Sequence, residues 1–299
     1  MQRVGLIGTG LMGRAMSLVL LKAGFPLTVW NRTPGKADEV LKAGAAWAGS
    51  PAEVAAASDA VISMVTDSTA SEQVICGPKG ILESARPGLS LVDMSSIAPE
   101  MSRTLAGRAR DRGVSMLDAP VTGNPKVAAA GKLGIMVGGP GETFEKCKPI
   151  FEALAAKIVY VGPQNGLGTT LKLINNLILG VAIQASAEAL VLAAKAGIDP
   201  RKVMEITSVG GARTGAMETR GPWMVERNFD PHFSANNMYK DLSNVMKLAE
   251  GCGAVLPTTA ISLEMLRAAR AQGDGERDSC VVLTVLEKLA GLQTQNPGR

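Results

Sequence analysis

The first half of the sequence alternates short apolar runs with segments whose apolar residues recur at helical spacing. Short apolar runs are typical of buried strands, and apolar positions three and four residues apart are typical of helices. Runs that predict strands lie at residues 4–7, 26–30, 60–65, 89–94, 114–118, 133–137 and 158–161. Segments that predict helices lie between them, at residues 15–21, 36–43, 68–74, 99–112 and 143–155. This alternation predicts βαβ crossovers and a mostly parallel sheet.

The strand pattern ends near residue 163, and only helical periodicity follows. Residues 169–195 predict one long apolar helix, ~40 Å at 1.5 Å per residue. Further helices are predicted at residues 200–209, 234–252, 258–271 and 280–289. We expect an α/β Rossmann-type, doubly wound sheet domain over residues 1–163 and an all-α helical domain over residues 164–292, with one long interdomain helix. Residues 293–299 are expected to form a flexible tail.

The long helix is apolar on nearly all faces, so it needs more than one packing partner. A subunit interface is therefore expected, in a homodimer or a homotetramer. Its most apolar stretch, residues 177–194, contains Gln184 and Glu188. That stretch is shorter than the run of about twenty apolar residues that a membrane span requires. It predicts a buried helix, and we expect no membrane partner.

Composition narrows the possible functions further. The chain has 31 basic and 27 acidic residues, and its net charge of +4 suits anionic ligands but is too mild to predict a nucleic-acid partner. Aromatic residues make up only 3%, which disfavours stacking platforms for single strands. The four cysteines are widely spaced and no signal peptide is apparent, so a reduced, cytoplasmic protein without a metal site is expected.

The first predicted strand runs directly into Gly8-x-Gly10-x-x-Gly13, and a helical pattern follows. This strand–turn–helix context is what a dinucleotide fingerprint requires. The first glycine permits a sharp turn, the second lets a pyrophosphate approach the backbone, and the third allows close helix packing. Leu11 and Met12 complete the turn, at the helix end that binds phosphates. A glycine-rich turn without a ligand is the alternative.

The end of the second strand carries Asn31-Arg32-Thr33, where a Rossmann site reads the adenosine ribose. An acidic residue there favours NAD, but this chain has a guanidinium instead. Arg32 can pair with a 2′-phosphate through two parallel hydrogen bonds. We therefore expect NADP(H) to be preferred over NAD. The alternative is a solvated loop arginine without a ligand.

Lys172 and Asn176 are one helical turn apart near the start of the long helix. A lysine in the first turn meets the positive end of the helix dipole, which would lower its pKa toward the range useful for proton transfer. From the residues alone, a surface lysine beside a helix cap is an equal alternative.

Four ordered motifs stand out in the sequence. They are the N-terminal GLIGTGLMG, the segment from Asp118 to Asn124 (DAPVTGN), the segment from Gly166 to Asn176 (GLGTTLKLINN), and YKDL, which contains Lys240. Together they resemble the motifs of the β-hydroxyacid dehydrogenase family. The resemblance covers about residues 3–290. It implies interconversion of a small β-hydroxyacid and its semialdehyde, with a small anionic carboxylate as substrate.

The resemblance also implies roles for individual residues. Lys172 would exchange a proton with the carbonyl oxygen, and Asn176 would orient that oxygen. Thr122 and Gly123 would hold the substrate carboxylate, while Asn124 departs from the family's second glycine, which leaves the substrate open. Residues implied at the cofactor are Val65, Thr66, Asp67, Ser96 and Lys240, the last also at the substrate.

Two alternative functions stay open. Imine reductases share the fingerprint and the long helix, but they usually have another residue in place of Lys172. Some members of the family have become non-catalytic, NADP-binding interaction modules, and these lose the catalytic lysine. Lys172 and Asn176 favour an NADP-dependent semialdehyde reductase over both alternatives.

Overall fold

The computed structural model describes residues 2–292, and the chain divides into two compact units, Met1–Lys172 and Leu173–Arg299. The boundary falls inside a continuous helix, whereas the sequence predicted it between residues 163 and 164. The tail predicted at residues 293–299 lies outside the described part of the chain.

The first unit is built on one sheet. Its strands are β1 (Val4–Ile7), β2 (Leu27–Trp30), β3 (Ala46–Trp47), β4 (Ala60–Ser63), β5 (Ser90–Asp93), β6 (Ser115–Asp118), β7 (Val121–Thr122), β8 (Leu133–Gly138) and β9 (Ala155–Gly162). The strand order is β3-β2-β1-β4-β5-β6-β8-β7, and β9 also pairs with β8. Strands β3 to β6 in this order are parallel, β8 runs antiparallel to β6 and β7, and β9 is parallel to β8.

Helices cover both faces of this sheet. They are α1 (Leu11–Lys22), α2 (Asp38–Lys42), α3 (Pro51–Ala57), α4 (Ser68–Cys76), α5 (Ile81–Ser84), α6 (Pro99–Arg110), α7 (Pro125–Ala129) and α8 (Gly141–Leu154). Met16 of α1 and Phe151 of α8 pack in one buried cluster, and Ile75 of α4 and Leu105 of α6 pack in another. Strands covered on both faces are apolar throughout, and β1 is buried at all four positions. The predicted Rossmann-type fold is confirmed.

The described part of the second unit is built from helices, apart from loops and one isolated bridge between Ser234 and Asp278. Its helices are α9 (Leu167–Lys195), which begins in the first unit, α10 (Pro200–Thr207), α11 (Gly215–Glu226), α12 (Ala235–Cys252), α13 (Pro257–Ala271) and α14 (Val282–Leu289). Leu173, Ile183 and Leu190 of α9 share one buried cluster with Leu242 of α12 and Leu266 of α13. Among the described residues, α9 alone is long and apolar enough to cross a membrane. Core helices of soluble proteins meet the same criterion, so its length and composition are weak evidence for a span.

Four helices were not predicted from the sequence, namely α3, α5, α7 and α11. Helix α3 has a capping box that the sequence does signal: Ser50 accepts from the Glu53 amide, and the Glu53 carboxylate accepts from the Gly49 amide at 2.8 Å. Helix α11 contains Pro222, which disfavours a helix interior. Thr214 caps its start by accepting from the Met217 amide, and burial of Met217 and Met224 holds it in the core. Tertiary packing therefore overrides the local sequence preference at α11.

Candidate functional site

Each of the three glycines after β1 meets a different steric condition. Gly8 has φ +99°, and a Cβ there would lie 2.2 Å from the Met64 carbonyl oxygen. A Cβ on Gly13 would lie 1.8 Å from the Gly8 carbonyl oxygen, so no side chain fits at either position. Gly10 has no atom within 4 Å of its Cβ direction. The turn therefore packs tightly against the chain at Gly8 and Gly13, and it leaves free space at Gly10, where a pyrophosphate would lie.

The start of α1 suits an anionic group. Its N-cap, Gly10, offers no side chain to the free amides, and its first turn has no acidic residue. The Thr9 hydroxyl is buried without a hydrogen-bond partner among the described residues. Leu11 is 70% exposed beside the turn, and Met12 is half-buried. Because the positive end of the helix dipole is not neutralised by the chain here, the turn fits a dinucleotide pyrophosphate.

Asn31 joins the end of β2 to the glycine turn. Its Oδ1 accepts from the Thr9 amide at 3.0 Å, and its Nδ2 donates to the Thr33 carbonyl at 2.8 Å. Arg32 and Thr33 are exposed, and Arg32 makes no hydrogen bond or ion pair with residues 2–292. Asn31 thus shapes the loop with its amide, while the Arg32 guanidinium is the group that remains for a phosphate.

The loop after β4 contains three of the residues implied at the cofactor. The Val65 amide donates to the Ser95 hydroxyl at 2.9 Å, which ties this loop to the loop after β5. Asp67 caps α4 by accepting from the Ala70 amide at 2.9 Å, and the Thr66 hydroxyl donates to the Asp67 carboxylate. Ser96 follows Ser95 and is half-buried. Asp67 therefore has a capping role that was not predicted from the sequence.

Asp93, at the end of β5, is a buried carboxyl group that was not predicted as a site residue. One oxygen, Oδ1, accepts from the Ser63 hydroxyl and the Ser95 amide, each at 3.0 Å. The other oxygen has no hydrogen-bond partner within the described chain. Burial raises the pKa of Asp93 above its ordinary value, against the opposing effect of these donors. Asp93 links the ends of β4 and β5, on which both loops depend.

The implied carboxylate-binding turn follows β7. Gly134 makes room for Thr122, since a Cβ at Gly134 would lie 2.7 Å from the Thr122 methyl carbon. Gly123 has φ +129°, the left-handed region that favours glycine. Asn124 has φ −105° and caps α7, its Oδ1 accepting from the Val127 amide at 3.0 Å. A left-handed conformation at Asn124 is therefore not required, because the turn needs it only at Gly123.

Asp118, at the end of β6, fixes the start of α9. Its Oδ1 accepts from the Gly166 amide at 2.7 Å, and its Oδ2 accepts from the Thr169 amide at 2.8 Å. A residue distant in sequence thus satisfies two amides that a helix start leaves without intrahelical partners. Gly168 permits the contact, because a Cβ there would lie 2.5 Å from the Asp118 carbonyl oxygen. Burial raises the pKa of Asp118, while the two amide donors oppose that rise.

Lys172 lies one turn beyond this cap and is half-buried. The prediction that it lies in the first helical turn was wrong, because α9 begins at Leu167 and Lys172 is in the second turn. The dipole effect fades within the first turn, and the Asp118 carboxylate offsets it there. The Asp118 cap and the continuous helix fix where Lys172 lies, and the helix dipole has little influence on its side chain.

In the second unit, Asn176 and Lys240 meet at Asp241. The Asn176 Nδ2 donates to Asp241 Oδ2 at 2.6 Å, and Lys240 Nζ lies 3.6 Å from Asp241 Oδ1. Asn176 Oδ1 also accepts from Asn175 Nδ2 at 3.1 Å. Asp241 is almost fully buried and orients both implied site residues. An amide nitrogen has two N–H groups, so Asn176 keeps one donor beyond its bond to Asp241.

His232, the only histidine in the sequence, has a structural setting. Its ring stacks on Trp223 with centroids 4.3 Å apart. The backbone amides of His232 and Phe233 both donate to the buried Asp278 carboxylate. These contacts agree with a structural role for this histidine.

Two family models together match most of the chain. Residues 3–162 match the NAD-binding domain of 6-phosphogluconate dehydrogenase, and residues 166–286 match the NAD-binding model of NADP-dependent 3-hydroxyisobutyrate dehydrogenase.

Curated relatives agree with these matches. The chain is 37% identical to 2-hydroxy-3-oxopropionate reductase of Escherichia coli K12, covering 96% of this chain and 98% of that protein. It is 34% identical to glyoxylate/succinic semialdehyde reductase 1 of Arabidopsis thaliana, covering 95% and 98% of the two chains.

Solved structures share the fold. A Mycobacterium tuberculosis 3-hydroxyisobutyrate dehydrogenase with L-serine has a TM-score of 0.87 and 31% identity, covering 96% of this chain and 99% of that chain. An imine reductase from Pseudomonas sp. is more distant, with a TM-score of 0.61 and 22% identity, so its likeness concerns the fold alone.

Asp93 and Asp118 are adjacent in register across β5 and β6, and they form a matched pair for substitution. Asp118→Asn should lower the free energy of unfolding by about 1–3 kcal/mol, because an amide cannot accept at both positions and leaves a buried N–H unsatisfied. Asp93→Asn should cost less, because the remaining oxygen still accepts the hydrogen bonds from both Ser63 and Ser95, although its N–H groups are buried at the position of the unbonded oxygen. Urea unfolding of the two variants at neutral pH measures the difference.

The same pair predicts a pH dependence. Since burial raises the pKa of Asp93, the folded chain holds that proton more tightly than the unfolded chain, and wild-type stability falls as pH rises through the folded pKa. The stability of Asp93→Asn relative to the wild type should therefore rise with increasing pH and fall again in acid. Equal losses in the free energy of unfolding for Asp118→Asn and Asp93→Asn at every pH would contradict these roles of the two carboxyl groups.

Proposed function

We propose the reaction of this chain from its family: the chain belongs to the β-hydroxyacid dehydrogenase family of nicotinamide-dependent oxidoreductases. Within that family, we propose an NADP-preferring semialdehyde reductase that interconverts a small β-hydroxyacid and its aldehyde acid. The observation that carries this proposal is the position of Lys172. It lies one turn beyond the Asp118 cap, in the same unit as the glycine turn and Thr122.

Lys172 serves as the acid and base in this proposal. A reduced nicotinamide, when bound, would supply the hydride for a new C–H bond at the carbonyl carbon. The C=O double bond becomes a single bond, and its electron pair goes to the oxygen. Lys172 Nζ gives a proton to that oxygen, which completes the hydroxyl group. In the oxidative direction Lys172 takes the proton back. Such proton transfer contributes about 10²–10⁴-fold to a rate.

Thr122 and Gly123 hold the substrate carboxylate in this proposal, through a hydroxyl and backbone amides. The left-handed backbone conformation of Gly123 supports such a role, because it turns the chain sharply after β7. The Asn124 side chain is engaged in capping α7, so its part in substrate binding is to shape the turn.

Asn176 and Lys240 complete the proposed substrate site. The N–H of Asn176 that is not bonded to Asp241 orients the substrate oxygen. Lys240 contributes positive charge toward the anionic groups of the substrate and cofactor, and Asp241 holds both side chains in place.

The cofactor part of the proposal assigns Gly8, Gly10, Leu11, Met12 and Gly13 to the pyrophosphate. Arg32 is assigned to the 2′-phosphate, with Asn31 and Thr33 shaping its loop. Support comes from the exposed Arg32 guanidinium and from the absence of an acidic side chain at Asn31-Arg32-Thr33, where NAD-specific sites place one. Val65, Thr66, Asp67 and Ser96 are assigned to the loops around the nicotinamide end.

The names of the relatives support the substrate class. They are named for 2-hydroxy-3-oxopropionate and for glyoxylate and succinic semialdehyde, all small carboxylates that carry an aldehyde. Imine reduction is the second candidate, supported by the shared fold. Lys172 favours the semialdehyde reductase, because it offers a proton donor for a carbonyl oxygen.

We also propose that the enzyme is a cytoplasmic homodimer or homotetramer. The exposed apolar side chains of α9 support assembly, with Ile178 62% and Leu192 70% exposed. Four free cysteines support a reducing compartment. Sedimentation velocity of the full chain measures the assembly, and a monomer at micromolar concentration would contradict it.

Replacing Lys172 tests the reaction. Lys172→Met should lower kcat for NADPH-dependent reduction of the preferred semialdehyde by about 10²–10⁴-fold, because the proton donor is lost. NADPH binding, measured by fluorescence titration, should stay unchanged. Lys195→Met is the matched control, since Lys195 lies in the last turn of the same helix. Wild-type turnover in Lys172→Met would reject the mechanism.

Replacing Arg32 tests the cofactor preference. Arg32→Ala should raise the KM for NADPH by about tenfold to a hundredfold, the range expected for a lost charge-assisted hydrogen bond, and leave the KM for NADH nearly unchanged. Lys42→Ala, an exposed lysine of α2, controls for the loss of one positive charge. A cofactor ratio equal to that of the wild type would remove Arg32 from the site.

A further inference from the structure

A large cavity of the first unit lies away from the glycine turn. Its volume is about 660 Å³, which is within the usual range for small-molecule sites. One wall is a single face of α6, with Arg103, Ala106, Gly107 and Arg110 at helical spacing. The lining also includes residues 113–116, at the amino end of β6, and residues 163–165. The glycine turn follows the carboxyl end of a strand parallel to β6, so the two places lie at opposite edges of the sheet.

The charge of this cavity is positive. Arg103 and Arg110 are its only charged lining residues among the described part of the chain, and both are exposed. Arg103 pairs with Glu100 through one nitrogen at 2.9 Å, which leaves other donors of its guanidinium available. Arg110 has no ion pair with residues 2–292. An anion in the cavity would therefore meet two guanidinium groups.

Apolar residues also line the cavity, and there is space for a side chain at Gly107. Ala106, Val114 and Met116 line it, and a Cβ at Gly107 would meet no atom within 4 Å. The two arginines are seven residues apart, or ~10 Å along the helix axis. This spacing suits two acid groups joined by a short carbon chain better than a single small ion.

We propose that this cavity is a binding site for a small organic polyanion, such as a di- or tricarboxylate, held at its ends by Arg103 and Arg110. The ligand would also touch the segment that begins α9. The Arg103 guanidinium lies against Gly166, where a Cβ would come within 2.8 Å of its Nη1. Asn165 donates to the Met116 carbonyl at 2.7 Å, which fixes the neighbouring wall. Binding should therefore slow exchange of the amides at residues 164–169.

Calorimetry with citrate, at constant ionic strength, tests the proposal on the full chain. Saturable binding is expected for the wild type, with an affinity about tenfold lower in Arg110→Ala. Gly107→Leu should abolish binding by filling the cavity, and it should fold well because leucine favours a helix over glycine. Arg108→Ala is the matched control, since Arg108 pairs with Glu72 at 2.8 Å outside the cavity.

Each outcome decides the proposal without an activity assay. Binding that is lost in Gly107→Leu, kept in Arg108→Ala and accompanied by slower hydrogen exchange at residues 164–169 supports it. Binding that survives Gly107→Leu assigns the anion to another place and overturns it, as does the absence of saturable binding to the wild type. Equal affinity for inorganic phosphate would overturn the preference for an organic anion. The proposed reaction is tested separately, by the Lys172 variants.

Discussion

The Asp118 carboxylate sets where the long helix begins on the first unit, and the proposed chemistry depends on that point. Its two oxygens accept hydrogen bonds from the Gly166 and Thr169 amides. A residue at the end of another element thus caps the helix, as an N-cap residue would. Because α9 is continuous, the cap also sets the height and rotation of Lys172 relative to β6. A flexible lysine placed by a fixed helix is a better proton donor than one carried by a loop.

A second constraint acts at the ends of β1, β4 and β5. Gly8 and Gly13 leave no room for a side chain, so the turn and α1 pack directly on the sheet. Asp93 holds the end of β5 to the end of β4 through Ser63 and Ser95. Buried polar groups of this kind cost free energy unless they are bonded, so their presence here favours precise loop positions over maximal stability.

The fold could be predicted from sequence because its signals are local. Alternating apolar runs predicted the sheet, the glycine spacing predicted the turn, and the long apolar periodicity predicted α9, although two residues too late. The resemblance to the family is confirmed as well. Helix α3 carries a readable capping box at Ser50 and Glu53, so it too could have been predicted. Helix α11 had no such clear signal, because Pro222 argues against a helix; the Thr214 cap and the burial of its methionines explain it.

The long-range contacts of the supporting residues could not be predicted, because their partners are distant in sequence. Asp118 meets amides 48 and 51 residues away, and Asp241 meets Asn176 across 65 residues. Asn124 shows the same limit in reverse. It stands where the family has a second glycine, and the tertiary structure uses its side chain to cap α7. Backbone conformation at one position depends on the helix that comes after the turn as well as on the motif.

Chemical rescue tests the central claim most directly, namely that Lys172 carries the proton. The Lys172→Ala variant would be assayed for NADPH-dependent reduction of a semialdehyde with added ammonium or methylammonium ions. The account predicts that small primary amines restore turnover in a saturable manner, because they supply the missing donor, while tetramethylammonium at the same ionic strength does not. A variant that no amine rescues, or that needs no rescue, would contradict it.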